Sequence, residues 1–311
     1  MQENVAGIHI ANGYITAAEA DFVRKGEVRV KRLGWATYEP DMTNDELAGV
    51  IRRLWTECGI STSTVITALR SKSQLTKYFS YPFMTDAELK SALYLEAEES
   101  LLLSEGELCV DWHIGRREKP APGVEGGGVS EGVLVAAPRT DVERDLGLLR
   151  QARLFPIVMD TDIMAIANYY LATSNDDGEM DRTCMIYLTP MKAYVCTFFG
   201  KHSMYPRTVN LPGGLGEHIE DLTESLQEDI RYCIHKLHKK PMERIVLMDN
   251  AGTGELVGSF LQDIFAIPVE HCDAWAGIKM RKRLARSLQQ EDSPGSLALP
   301  AVGLALRSGT K

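Results

Sequence analysis

The sequence lacks any apolar run long enough to cross a membrane, and it lacks closely spaced cysteine pairs. No stretch approaches about 18 uninterrupted apolar residues, and LALPAVGLAL at 297–306 is short and contains Pro300. We interpret that stretch as a buried helix entered through the proline. No apolar N-terminal stretch resembles a signal peptide. The six cysteines are widely spaced without a C-x-x-C pair, which favours a reduced, intracellular protein over a disulfide scaffold.

The sequence also has no excess of positive over negative charge. The chain has 34 Lys and Arg against 43 Asp and Glu, a formal net charge of −9. This argues against a nucleic-acid partner, because phosphate contacts need a basic face. The local exception is KMRKRLAR at 279–286. We interpret this run as the solvated face of a helix, and contact with anionic lipid is the alternative.

Motifs of catalysis and metal binding are absent as well. No serine or cysteine has the G-x-S-x-G context of a nucleophile elbow. Cys233, His235 and His238 lie close together on a predicted helix, but an ordinary basic helix end accounts for them. We therefore predict no catalytic residue and no metal site.

The first half contains strong signals for strands and capped helices. GIHIANGYITAAEADFV at 7–23 predicts a hairpin around the Asn12-Gly13 turn, and EVRVKRLGWATYE adds a third strand. Thr43 and Glu46 form a capping-box pattern at the start of a helix that stops at Gly59.

Further along, helices and strands alternate. A second capped helix at 84–103, with Thr85 and Glu88, precedes an extended segment at 109–114 and a flexible Pro- and Gly-rich loop at 117–132. The remaining predictions are a strand at 133–137, a helix from Thr140 to about Arg153 with Glu143 completing its cap, a buried strand at 155–160 and a helix at 161–172.

The second half repeats this order after a polar separator. It begins with a hairpin at 184–199 around Thr189 to Lys192, continues with a helical region at 217–238, and closes with alternating strands and helices. Two halves that each open with a meander and close with alternating elements predict an α/β protein with two lobes facing a cleft.

Read in order, these stretches resemble the PilM family of type IV pilus assembly proteins and, more widely, FtsA. The similarity is carried by GIHIANGYITAAE, YLEAEESLLLSEGELCVDW (94–112), VLVAAPRTDVERDLGLLRQARLFPIVMDTDIMAIANYY (133–170), LPGGLGEHI (211–219), SLQEDIRYC (225–233), RIVLMDNAGTGELVGSFLQDIFAIPVEH and VGLALR. It implies an actin-like, ribonuclease-H-like two-lobed fold with a small inserted α/β subdomain. The expected units are a first lobe of 1–72 and 154–173 plus a C-terminal helix at about 296–311, the inserted subdomain at 73–153, and a second lobe at 183–295.

The resemblance also locates the first of two hairpins that hold ATP and Mg²⁺ in such folds. The family pattern D-I-G-S-S-S is matched here by His9, Ile10, Ala11, Asn12, Gly13 and Tyr14. His9 thus replaces an acid, although Mg²⁺ prefers carboxylate oxygen. Thr16 takes the place of the usual lysine.

The other nucleotide motifs are altered too. In the second hairpin Tyr187 replaces the second acid, and Pro190 has no N–H to offer a phosphate. The glycine-rich adenosine motif begins with Asp249 and Asn250, while Gly213-Gly214 is retained. The positions that the resemblance assigns to nucleotide contact are Asn12, Gly13, Thr16, Lys192, Gly213, Gly214, Asn250 and Gly252.

These substitutions indicate a pseudo-ATPase with no cofactor, because phosphoryl transfer depends on metal charge. Weak binding of ATP and Mg²⁺ through Lys192 is the alternative. The resemblance implies a cytoplasmic scaffold that binds the N-terminal segment of a PilN-like inner-membrane protein and associates with other pilus proteins and with itself. We expect the peptide contacts within residues 76–99. The alternatives are an active actin-like ATPase or small-molecule kinase, a type II secretion L-type cytoplasmic domain, and an FtsA-like filament protein.

Overall fold

The fold was analysed in a computed structural model of the chain. The structure describes residues 5–11, 13–24, 27–120, 128–174, 182–199, 203–211, 215–232, 242–249, 254–276, 278–289 and 294–307.

A six-stranded sheet forms the first lobe, in the order β14-β3-β2-β1-β4-β8. Its strands are β1 (Ala6–Ala11), β2 (Tyr14–Arg24), β3 (Glu27–Thr37), β4 (Thr64–Ala68), β8 (Phe155–Asp160) and β14 (Ile278–Met280). The predicted hairpin is confirmed, because Ala11 pairs with Tyr14 across a two-residue turn. Gly13 has φ +87° there, a left-handed conformation that suits glycine in such turns.

The helix α1 (Asn44–Cys58) covers one face of this sheet, as its apolar spacing predicts. The backbone N–H of Glu46 donates to the Thr43 hydroxyl, and the Glu46 carboxylate accepts from the Thr43 backbone at 2.9 Å. Gly59, with φ +66°, ends the helix. Both end signals are confirmed.

A three-stranded sheet in the order β5-β7-β6 forms a smaller layer. It consists of β5 (Leu75–Pro82), β6 (Leu108–Glu118) and β7 (Val129–Pro138), with α2 (Asp86–Leu101) packed on one face. The Thr85–Glu88 capping box is present. The predicted loop at 117–132 is too long at both ends, since 117–118 belong to β6 and 129–132 to β7.

A five-stranded sheet in the order β11-β10-β9-β12-β13 forms the second lobe. The strands are β9 (Thr183–Leu188), β10 (Lys192–Phe199), β11 (Ser203–Asn210), β12 (Arg244–Asp249) and β13 (Val269–His271). The helices α5 (Leu215–Tyr232) and α6 (Gly254–Phe265) belong to the same lobe. The predicted hairpin at 184–199 is confirmed by the pairing of β9 with β10.

Two helices lie between the large sheets: α4 (Asp162–Thr173) and α8 (Leu299–Leu306). One hydrophobic cluster joins them to residues of both sheets, including Val28 of the first and Met185 of the second. All residues of α8 are buried, which confirms the buried helix containing Pro300. The helices pack closely, because a Cβ on Gly303 would lie 1.9 Å from the carbonyl oxygen of Ala165.

The strand β8 differs from its prediction as a buried strand. It lies at the edge of the first sheet and pairs with β4. Phe155 is 62% exposed and Ile157 is 55% exposed. The apolar run FPIVMD therefore has one exposed face and one partly buried face, which the run alone does not distinguish.

The helix α3 (Arg139–Gln151) also differs from its prediction in two respects. It begins directly after Pro138, without a side-chain cap, so the cap expected from Thr140 and Glu143 is wrong. Its buried Leu148 and Leu149 pack in the core of the first lobe, although the sequence places them in the inserted subdomain.

Strands β5 and β11 were not predicted, and β14 pairs with β3 although residues 278–280 were assigned to the second lobe. The helix that follows, α7 (Lys282–Ser287), covers only part of the basic run.

Within the described ranges, no helix combines the length and apolar character needed to cross a bilayer. The cysteines at 58, 109, 184, 196 and 272 are free thiols.

Candidate functional site

The candidate site is centred on the carboxylate of Asp162, at the start of α4 between the two large sheets. The Nε2 atom of His9, on β1, lies 3.1 Å from Asp162 Oδ1. The hydroxyl of Tyr194, on β10, donates to Asp162 Oδ2 at 2.9 Å. One carboxylate at a helix N-terminus, where the helix dipole favours negative charge, therefore links a strand of the first sheet to a strand of the second.

The environment keeps Asp162 ionised. Burial alone would raise its pKa, but the hydrogen bond and charge of His9, the charge of Lys192 and the Tyr194 hydroxyl together hold the pKa below its ordinary value. The Nζ atom of Lys192 lies 6.0 Å from the centre of the Tyr194 ring, a distance suited to a cation–π contact.

Tyr187 fills the second acid position and is fully buried. Its ring stacks on Tyr194 with 6.0 Å between ring centres, and its hydroxyl donates to the carbonyl oxygen of Ser296 at 2.9 Å. Burial raises the pKa of Tyr187 well above its ordinary value, and the charges of Asp162 and Asp249 act in the same direction. The group is therefore a protonated donor that ties β9 to the segment preceding α8.

The turn of the first hairpin is hydrogen-bonded to Tyr38, the residue that follows β3. The Tyr38 hydroxyl donates to the carbonyl oxygen of Ala11 at 2.5 Å, and the Tyr38 backbone N–H donates to that of Gly13 at 3.0 Å. Tyr14 lies beside His9, with 6.0 Å between ring centres. An aromatic ring therefore lies beside the position of the first acid.

Asp249 ends β12 and has a structural role. Its Oδ2 atom accepts the backbone N–H of Gly254 at 2.7 Å, which caps the start of α6. Its backbone carbonyl accepts the Ser296 hydroxyl at 3.0 Å. The carboxylate that replaces a glycine of the adenosine motif is therefore engaged with a helix N-terminus.

Three of the predicted nucleotide contacts lie in the described chain. Gly13 is in the first hairpin turn, Thr16 is fully buried opposite His9, and Lys192 begins β10 after a turn held by the Thr189 hydroxyl. The structure thus brings Lys192 and His9 to the same carboxylate. The other predicted contacts, Asn12, Gly213, Gly214, Asn250 and Gly252, lie outside the described residues, as do Cys233, His235 and His238.

The described residues do not fit a Mg²⁺–nucleotide complex of the usual kind. Mg²⁺ requires carboxylate or water oxygens with accessible lone pairs. His9 and Tyr187 occupy the two acid positions and both make internal hydrogen bonds. The nearby carboxylate of Asp162 is hydrogen-bonded through both of its oxygens.

The two large sheets have α4 and α8 packed between them, and a hairpin of each sheet contributes a residue that contacts Asp162. This arrangement defines an actin-like ATPase fold. A family model described as "Type IV pilus assembly protein PilM" matches residues 7–215. The chain belongs to this PilM family.

Among solved structures, the chain is similar to one titled "PilM-PilN type IV pilus biogenesis complex", with a TM-score of 0.78 and 18% identity over all of both chains. It also matches the cytoplasmic domain of EpsL, an inner-membrane component of the type II secretion system of Vibrio cholerae, with a TM-score of 0.49 and 8% identity over 94% of this chain and 97% of that one. No curated protein matches the sequence.

Sequence analysis missed the residues on which His9 and Tyr187 depend: Asp162, Tyr194 and Ser296. The available signal for Asp162 was an acid directly after Thr161, whose hydroxyl accepts the backbone N–H of Met164 at the start of α4. That pattern indicates a helix start and contains nothing about a partner on β1.

Proposed function

We propose that this protein is a cytoplasmic scaffold of type IV pilus assembly that binds the cytoplasmic N-terminal segment of a PilN-like inner-membrane protein. It reaches the inner membrane through such partners, associates with other pilus assembly proteins and with itself, and does not hydrolyse ATP. Family membership supports the assignment to pilus assembly, and the similar structure named as a PilM–PilN complex supports the choice of partner.

The observation that carries the proposal is the exposed edge of β8. An extended peptide needs a strand with an unpaired backbone edge and apolar contacts for its side chains. In the described chain β8 pairs with β4 alone, and it exposes Phe155 and Ile157 two residues apart. Alternate residues of a strand lie on the same face, so these side chains form one apolar strip beside the edge.

The position of β8 also fits a peptide held beside the inserted subdomain. Burial raises the pKa of Asp160 at the end of β8, and the charge of Asp111 on β6 raises it further, against the opposing charge of Arg307. Asp111 belongs to the three-stranded sheet. The helix α3 contacts both β8 and strand β7 of that sheet, so β8 lies beside the inserted subdomain.

The stretch at 76–99 contains a second candidate surface. A groove of about 530 Å³ lies at the start of α2, lined by Pro82, Phe83, Met84, Ala87, Glu88 and Ser91. Strand β5, by contrast, packs against β11, where Tyr78 lies 5.9 Å from Tyr205 between ring centres. We favour β8 because it combines apolar side chains with an unpaired backbone edge.

Calorimetry with a synthetic peptide of the partner's cytoplasmic N-terminal segment tests this proposal. Ile157→Glu is expected to weaken binding at least tenfold, since it places a charge in the apolar strip. Ile264→Glu is the matched control, because Ile264 on α6 is 40% exposed in the other lobe. Absence of binding by the wild type to any homologous peptide contradicts the function. Loss of binding in Phe83→Glu but not Ile157→Glu places the peptide in the α2 groove instead.

Steady-state ATP turnover tests the proposed lack of hydrolysis. We expect no Mg²⁺-dependent phosphate release above that of buffer, because the acid positions hold His9 and Tyr187. Turnover that requires Mg²⁺ and disappears in Lys192→Ala would instead establish an active enzyme.

A further inference from the structure

The helix α7 is amphipathic, and its exposed face is basic. Leu284 and Leu288 pack against the central hydrophobic cluster, one helical turn apart. Four cations at or within α7 are exposed to solvent, and we call them the basic edge: Arg281, Lys282, Arg283 and Arg286. They follow β14 directly, so they lie at an edge of the first sheet.

The four cations have no acidic partner among the residues that the structure describes. Within the ranges that the structure describes, none of the four forms an ion pair, whereas Lys279 just before them pairs with Glu27. The whole chain carries a formal net charge of −9. A group of four unpaired cations on an acidic protein is therefore a local positive patch.

Two exposed apolar side chains lie at the end of β2, two strands away from β14 in the same sheet. Phe22 is 38% exposed and Val23 is 42% exposed, at the end of β2. Phe22 pairs with Val28, and Val28 pairs with Ile278 of β14. Phe22 is therefore two strands, or about 10 Å, from the start of β14, and the basic edge follows the other end of this three-residue strand.

We propose that the side of the first sheet that carries β14 contacts an anionic lipid surface. The contact involves the four cations of the basic edge together with Phe22 and Val23 of β2. Cations bind lipid phosphates while neighbouring apolar side chains enter the headgroup region, the combination found in peripheral membrane proteins. Each Lys or Arg near an anionic surface strengthens binding about fivefold. Because the rest of the protein is acidic, this contact also orients the molecule on the membrane.

Co-sedimentation of the full chain with vesicles tests the proposal. We expect binding to vesicles rich in phosphatidylglycerol, weaker binding as salt is raised, and none to pure phosphatidylcholine. The variant Arg281→Ala, Lys282→Ala, Arg283→Ala, Arg286→Ala should bind at least tenfold more weakly, and Phe22→Ser should weaken binding by a smaller factor that persists at high salt.

A matched control removes the same charge elsewhere. Arg53, Lys72, Lys90 and Arg150 are exposed cations on or near other elements. Their fourfold alanine variant is expected to retain vesicle binding within about twofold, because charges beyond a Debye length contribute little. Circular dichroism of each variant is the check that it is folded.

Three outcomes overturn the proposal: no binding of wild type to anionic vesicles, equal loss in both fourfold variants, or binding of the basic edge to nucleic acid in preference to vesicles. Peptide binding at β8 is a separate measurement, so failure here leaves the proposed scaffold function unaffected.

Discussion

His9 and Asp162 lie 153 positions apart in the chain, and their side chains meet at 3.1 Å between the two large sheets. Both side chains are largely removed from solvent. Tyr194 completes the connection to the second sheet. The family pattern has an acid at the position of His9. In this chain His9 instead pairs with an acid from α4, Asp162.

Asp162→Asn is expected to lower the free energy of unfolding at neutral pH by about 2–3 kcal/mol. The amide accepts a hydrogen bond less strongly than the carboxylate, and bonds to charged groups contribute most. Urea unfolding measures this change. The control is Asp263→Asn on α6, which is exposed and is expected to change stability by less than about 0.5 kcal/mol.

The stability difference between wild type and Asp162→Asn should also depend on pH, in a direction that the pKa shift of Asp162 determines. The folded-state pKa of Asp162 is lowered, so its contribution is present above its unfolded pKa of about 3.9 and is lost as pH falls through the folded pKa. The stability difference between wild type and Asp162→Asn should therefore shrink below about pH 4. A difference that stays constant down to pH 3 contradicts an ionised Asp162.

His9→Asp should destabilise the protein at neutral pH instead of restoring a metal site. It places a second carboxylate beside Asp162, and two close like charges raise the pKa of one of them. An acid with a raised folded pKa is destabilising above its unfolded pKa, so stability should recover as the buffer is acidified. Thermal melts across pH measure this, with His9→Asn as the neutral control. A variant as stable as wild type at pH 7 would refute the pairing.

Tyr187→Phe is expected to destabilise by about 1 kcal/mol, since it removes the donor to the Ser296 carbonyl while keeping the buried ring. Tyr94→Phe is the matched control, because the Tyr94 hydroxyl makes no hydrogen bond in the described chain. Urea unfolding of both variants provides the comparison, and equal stabilities would show that the Tyr187 hydroxyl has no role.

Gly303→Ala is expected to destabilise by about 1–3 kcal/mol through overpacking between α8 and α4. The new Cβ would lie 1.9 Å from the Ala165 carbonyl oxygen, so the helices must separate. Gly147→Ala in α3 is the control: nothing lies within 4 Å of its Cβ, and helix propensity should stabilise it by about 0.5–1 kcal/mol. Similar effects of the two changes would contradict the close packing.

Local features of the fold were predictable because a few neighbouring residues determine them. The Thr43–Glu46 capping box and Gly59 define the two ends of α1 within one stretch of chain. The Asn12-Gly13 pair predicts a two-residue turn, and Ala11 and Tyr14 pair across it. The family pattern likewise identified His9 and Tyr187 as altered acid positions.

Other features depended on which segments pack together. The apolar run of β8 predicts burial, but its place at a sheet edge leaves Phe155 exposed. The strands β5 and β11 contain serine, proline and charged residues, and they are strands because partner strands satisfy their backbone groups.

The sequence by itself determined the capped ends of α1, the hairpin turns and the family, and it identified His9 and Tyr187 as the residues at the two acid positions of the family pattern. Only the tertiary structure decided that His9 pairs with Asp162, that Tyr187 bonds to Ser296, and that β14 joins the edge of the first sheet beside β3. The physical reason is range: caps and turns act over a few residues, whereas these contacts require distant strands and helices to be packed around a common core.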